Sequence, residues 1–131
     1  MTTTNIKATI QNDIRKVWEA LLAVENYSIW RRDVGKTEVI DEKKFIEYTG
    51  KGFPTTFTVT AVEPYKRWEF DMENSNMRGH WIGVFVSRGS ETEIDFTERV
   101  TAKKLFLKPF VKFYLKKQQA QFVLDLKKFL G

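Results

Sequence analysis

The chain contains no cysteine and only one histidine in 131 residues. The first absence excludes a disulfide framework, a thiolate metal site and a cysteine nucleophile. The second excludes a metal centre built from several imidazoles, and a lone histidine makes no catalytic triad without an identifiable nucleophile. No apolar run approaches the roughly 18–20 residues of a membrane-spanning helix. The N-terminal stretch MTTTNIKATIQNDIRK holds no apolar signal core, so the expectation is a cytoplasmic protein. Phosphate-loop, zincin, nucleophile-elbow and dinucleotide motifs are all missing. No linker, repeat or low-complexity tract divides the sequence. Residues 1–131 are therefore expected to form one domain, with no metal and no cofactor.

What is present is apolar, aromatic and unevenly charged. Hydrophobic residues make up 42% of the chain, enough for a globular core. The net charge of +5 belongs to the C-terminal segment: residues 103–131 hold eight Lys and one Asp, whereas residues 1–102 hold 14 basic and 16 acidic groups. Such a segment suits a solvated helix face or an anionic partner. A nucleic-acid partner is not expected, because the rest of the chain is net acidic.

Periodicity gives the order of elements. Residues 4–10 alternate as a strand. Asn12 or Asp13 then caps a helix whose Ile14, Val17, Trp18, Leu21 and Leu22 share one face. A second short helix follows around Glu25–Trp30. Alternating segments come next near 34–40, 43–49, 54–62, 67–73, 77–87 and 91–100, separated by short polar turns. Close strands with short turns describe an antiparallel meander. The last 22 residues, with Pro109 just before them, read as one helix with that proline in its first turn. Val111, Leu115, Phe122, Leu126 and Phe129 form its apolar stripe, with Gln118 beside it.

Strand parity can be carried through the turns. Four-residue loops at Glu63–Lys66 and Glu73–Asn76 set Ala61, Val59 and Phe57 against Trp68, Phe70 and Met72, and Trp68 against Trp81. An even turn at Arg88-Gly89 places Ile94 and Phe96 on the face of Trp81, Gly83 and Phe85. That face is apolar and ring-rich. The other carries Arg67, Glu69, Asp71, Glu93, Asp95, Thr97 and Arg99. A sheet with one greasy face needs a cover, and the long helix supplies it.

Several local cues follow this order: Val17-Trp18-Glu19-Ala20-Leu21, Tyr27-Ser28-Ile29-Trp30, Val62-Glu63-Pro64 before Trp68-Glu69-Phe70, and Gly89-Ser90-Glu91-Thr92. With the β-α-α-β6-α arrangement they resemble the START-like superfamily, which includes polyketide cyclase/dehydratase-related proteins and the birch-pollen-allergen group. The resemblance spans nearly the whole chain. It implies an α+β helix-grip fold: a curved antiparallel sheet of about seven strands, two short helices after the first strand, and a long C-terminal helix. It also implies a hydrophobic ligand held between sheet and helix, and it supplies no shared catalytic motif.

The expected ligand-binding residues are Tyr48, Phe57, Trp68, Phe70, Trp81, Phe85, Phe96, Gln118 and Phe122. Broad aromatic walls with a few polar groups suit an apolar ligand. The same rings suit a filled core, and residue type alone does not separate the two. Of Glu47 and Tyr48, the phenol is the one expected to look inward. Glu98 shares the parity of Phe96, yet the expectation there is a solvated strand end. Were it inward, Glu98 with Tyr48 would be the one acid/base pair available to a cyclase- or hydrolase-like enzyme. Gln118 is expected to bond a backbone carbonyl or a ligand. His80 is placed on the outer face opposite Glu69. Ile82, Val84 and Val86 alternate outward and suggest a homodimer face. The Lys-rich helix, with Phe113, Ala120 and Leu124 among its lysines, suggests a membrane-surface or partner-docking module as a further alternative.

Overall fold

A computed structural model describes residues 1–131. Seven antiparallel strands form one sheet in the order β1-β7-β6-β5-β4-β3-β2. The strands are β1 (Thr2–Ile10), β2 (Lys36–Val39), β3 (Lys44–Tyr48), β4 (Pro54–Glu63), β5 (Arg67–Glu73), β6 (Met77–Arg88) and β7 (Glu91–Ala102). Strands β2 to β7 run as a meander, and β1 joins its far edge by pairing with β7 from Thr2↔Val100 to Ile10↔Thr92. The sheet therefore brings the N-terminus beside residues some ninety positions away, while α1 (Ile14–Leu22), a 3₁₀ turn (Val24–Asn26) and α2 (Tyr27–Trp30) close the end between β1 and β2.

Asp13 caps α1: its side chain accepts from the amides of Arg15 and Lys16 at 3.0 and 3.1 Å. The helix buries Val17, Trp18, Ala20 and Leu21. The C-terminal helix is shorter than its periodicity suggests. Pro109 sits inside a 3₁₀ segment, Leu105–Phe110, and α3 runs from Val111 to Leu130. Its buried side chains are Val111, Leu115, Gln119, Val123, Asp125 and Leu126. Phe129, expected in the stripe, is half out in solvent and stacks on Trp30 at 5.6 Å. Asp125 ties α3 to the segment after α2, accepting from the Arg32 amide at 3.1 Å and from its Nε at 3.2 Å.

The strand faces fall as parity requires, but two registers differ. The β4–β5 loop has three residues, Pro64–Lys66, with Tyr65 in the left-handed region (φ 64°) and Glu63 opposite Arg67. Val62, not Ala61, therefore faces Trp68. A bulge between Val59 and Ala61 restores Val59↔Phe70 and Phe57↔Met72. Between β5 and β6 the Asn74 side chain accepts from the amides of Asn76 and Met77, which fixes the turn one step later along the chain. Phe70 now pairs with Trp81, and Trp68 pairs with Gly83. The β5–β6 slip is by two residues, so the side chains of those two strands keep their faces, whereas on β4 the one-residue displacement is confined to the stretch beyond the bulge.

The concave face carries one main core of 18 buried residues, from Ile10 and the α1 stripe to Phe96 and Leu126. A smaller cluster, Val100, Val111 and Leu115 with Met72 and Met77, lies under the start of α3. The candidate site opens between the two. On the convex face His80 bridges two carboxylates, Nε2 to Glu69 at 2.8 Å and Nδ1 to Asp71 at 2.7 Å, with Asp71 as its cross-strand neighbour. These bonds hold the imidazole pKa above its ordinary value against the cost of partial burial. Ile82 and Val84 are half-buried there and Val86 is exposed.

Candidate functional site

An aromatic wall runs across the concave face. Phe45 stacks on Phe57 (4.9 Å between centroids), Phe57 meets Phe70 edge-on (5.2 Å), and Phe70 stacks on Trp81 (4.8 Å). Trp81 then packs on Phe96 (4.7 Å), which meets Phe122 of α3 edge-on (5.9 Å). Offset and edge-to-face pairs of this kind fix ring planes as well as burying area. Gly83 makes room for the Trp81 indole: a Cβ there would lie 2.4 Å from Cη2 and 2.6 Å from Cζ3 of that ring.

The rings do not fill the space. A cavity of about 160 Å³ remains between the wall and α3. Phe57, Trp68, Phe70, Trp81, Phe96 and Phe122 line it, with Tyr48 and Gln118 at its border. Phe85 does not: it packs edge-on against Trp18 at 5.2 Å, inside the main core. The more exposed lining residues frame the mouth: Thr49 and Phe53 in the β3–β4 turn, Asn74 in the β5–β6 turn, Met77 at the start of β6, and Tyr114 on α3.

The polar lining differs most from the sequence reading. Glu47, not Tyr48, looks inward, because it shares the parity of the buried Phe45. The Tyr48 hydroxyl turns away and donates to Glu38 at 2.9 Å, so it is engaged elsewhere than in the Glu98–Tyr48 pair that the enzyme alternative would need. Arg31, just past α2, reaches in beneath the helix, with its side chain 7% exposed. It pairs with Glu47 at 2.9 Å and Asp33 at 2.7 Å, and its guanidinium lies over the rings of Tyr27 (4.9 Å) and Phe122 (5.0 Å). Burial opposes the charge on Arg31, but the two carboxylates hold its pKa above the ordinary value. Burial also raises the pKa of Glu47, with Arg31 pulling the other way.

Glu98 is not a solvated strand end. Opposite Trp81 on β6, it is 7% exposed and lines the cavity. Burial pushes its pKa up to about 7, and Arg31 only partly offsets this. No hydrogen bond contributes to that balance. Nearby on the lining, Gln119 is buried, and its Nε2 donor has no partner. Gln118, the expected glutamine, is only half-buried. The signal for Gln119 was in the sequence, since it follows Leu115 by four residues and precedes Val123 by four. Arg31 gave no such signal, because it lies outside any regular element.

The charge of the lining is one-sided. Arg31 is its one cation, against Asp33, Glu47, Glu73 and Glu98. Arg31 is already engaged twice, so no free positive group waits for an anionic ligand. No cluster of histidine, cysteine and carboxylate side chains suited to a metal ion is present.

Comparison with known proteins agrees with this architecture. The START superfamily protein of Mycobacterium smegmatis superposes with a TM-score of 0.85 at 11% identity, over 96% of this chain and 94% of that one. The Zhui aromatase/cyclase of Streptomyces sp. R1128 gives 0.86 at 10% identity, over 97% and 92%. Protein MLL2253 of Mesorhizobium loti gives 0.81 at 17% identity, over 98% and 96%. At these identities the likeness is one of fold. No curated protein sequence matches the chain significantly. Residues 1–131 match, end to end, the family described as polyketide cyclase / dehydrase and lipid transport, and the chain belongs to that family.

Proposed function

We propose that the protein binds a small, uncharged, mostly apolar molecule that carries one oxygen, held between the aromatic wall and α3. The observation that carries this reading is the pair of unfilled polar groups in an apolar cavity. The Gln119 Nε2 donor is fully buried without a partner, and Glu98, 7% exposed on the same lining, has no hydrogen bond. A fully buried donor costs about 1–3 kcal/mol unless something bonds it. A ligand carbonyl would accept from Gln119 and from protonated Glu98, and a hydroxyl would also suit the ionised acid. The acidic lining disfavours a carboxylate ligand such as a fatty acid.

Size narrows the class further. An apolar cavity of about 150 Å³ takes one benzene ring, and the cavity here is about 160 Å³. The closed site therefore suits a single ring or a short branched chain, and a fused polycycle needs the mouth turns to open. With roughly nine heavy atoms at about 0.6 kcal/mol each, Kd falls near 0.1 mM. The test is calorimetric titration with 4-ethylphenol, acetophenone, benzylamine and benzoate. The two uncharged probes bind and benzoate does not. Benzoate binding as well as acetophenone, or benzylamine surpassing both, refutes the assignment.

The same carboxyl favours a second reading. An acid with a pKa of about 7 on the wall of a ligand-sized cavity is poised to move protons. Bound acetophenone analogues with an α-hydrogen would then exchange it for deuterium in D₂O faster with the native protein than with Glu98→Gln. Equal exchange in the two proteins removes the enzymatic reading and leaves the binding one intact.

A further inference from the structure

We infer that the segment from Lys103 to Leu124 docks the protein on an anionic phospholipid surface, with the cavity mouth beside the contact. This stands on observations separate from the cavity chemistry. None of the residues of the 3₁₀ segment Leu105–Phe110 is buried, although most are apolar. Leu105, Phe106, Phe110 and Phe113 are 80%, 70%, 65% and 73% exposed. Four large apolar side chains bared within nine residues exceed the scattered exposure of an ordinary surface. On α3 the outward line continues from Phe113 through Ala120 to Leu124, opposite the buried Leu115, Gln119 and Val123.

Charge selects the occupant. Six lysines and no acidic residue lie between Lys103 and Leu124. Lys103 is paired with Glu73 and Lys104 bonds Asn76, whereas Lys108, Lys112, Lys116 and Lys117 carry no ion pair. Aromatic side chains interleaved with free lysines on one face match a bilayer interface, where rings enter the headgroup layer and ammonium groups meet phosphates. A protein partner or a second copy would need a matching acidic rim. The outward apolar strip on β6, Ile82, Val84 and Val86, is instead flanked across the strands by Arg67, Glu69 and Asp95, a mixed border.

Position gives the contact a purpose. The amide of Lys103 donates to the Asn76 carbonyl at 2.8 Å, so the 3₁₀ segment is anchored to the β5–β6 turn that frames the mouth. Tyr114, the next residue after Phe113, lines the same mouth. An apolar molecule dissolved in the membrane would therefore enter the cavity without crossing bulk water.

The test is flotation of the full chain with vesicles of phosphatidylcholine alone, or with about a third phosphatidylglycerol. Partition to the anionic vesicles is expected to be at least tenfold stronger and to weaken with added salt. Lys112→Gln/Lys116→Gln should weaken it about 25-fold, at about fivefold per lysine. Phe106→Ser/Phe113→Ser should weaken it at least fivefold, with no change in thermal midpoint because both rings are exposed. Equal binding to the two vesicle types, or no binding to either, overturns the inference. So does full retention by the Phe106→Ser/Phe113→Ser variant, which reduces the contact to simple charge adsorption. A wild-type dimer dissolved by that same variant, without vesicle binding, assigns the face to a second copy instead.

Discussion

Replacing Glu98 by Gln should stabilise the protein, and the gain should grow with pH. The folded state holds the Glu98 carboxyl near pKa 7, against an ordinary value of 4.5. Between those values the folded chain keeps a proton that the unfolded chain has released. Stability therefore falls as pH rises through that window, the reverse of a salt-bridged carboxylate. A tenfold difference in proton affinity between the two states is worth about 1.4 kcal/mol, so the buried carboxyl costs the native protein about 3 kcal/mol by pH 8 and about 1 kcal/mol at pH 5. Glutamine matches the protonated acid in shape and never ionises. The difference between the two proteins should grow by about 2 kcal/mol from pH 5 to 8, or about 8 °C in Tm for a chain of this size. Any packing offset of the amide is independent of pH and cancels. The His80 contribution runs in the same direction, being present below pH about 6.5 and lost above it, but it is common to both proteins and cancels too. The assay is thermal and urea unfolding of both proteins at the two pH values. A difference that stays constant with pH, or shrinks toward pH 8, refutes the burial of an unpartnered carboxyl.

Two further substitutions probe the wall and its cation. Gly83→Ala forces the Trp81 indole out of its slot between Phe70 and Phe96; it should cost about 1–3 kcal/mol in urea unfolding and abolish acetophenone binding, and unchanged values for both would show that the ring moves freely. Arg31→Met strands Glu47 in the interior and should cost about 3 kcal/mol at pH 8. That loss should ease as pH falls, because burial favours the protonated Glu47 once Arg31 is gone; a pH-independent loss would place the energy in packing over Phe122 and not in the ion pairs.

The legible parts of this chain are those governed by period. Faces followed from alternation, so Trp68, Phe70, Trp81 and Phe96 could be set on one concave surface from the sequence alone, even though the turn chemistry of Asn74 and the short β4–β5 loop moved pairings. An even slip changes neighbours and preserves faces, which is why the wall was readable and its ring contacts were not. Glu98 shows the opposite failure. Parity placed it inward, and the general rarity of buried carboxylates argued it outward; geometry prevailed because β7 continues in full pairing with β1 and β6 past that residue, to Val100 and beyond. Glu47 and Tyr48 were separated wrongly for a related reason. The choice rested on which side chain tolerates burial, whereas Phe45, two residues earlier, already fixed the answer by stacking on Phe57. What tolerates the charge of Glu47 is Arg31, which stands in no periodic element and approaches from another part of the chain. The polar half of the site is thus tertiary in origin. Its residues are brought together by the path of the chain between α2 and β2, and by the anchoring of α3 through Asp125 to Arg32, one residue beyond the Arg31 that completes the cavity.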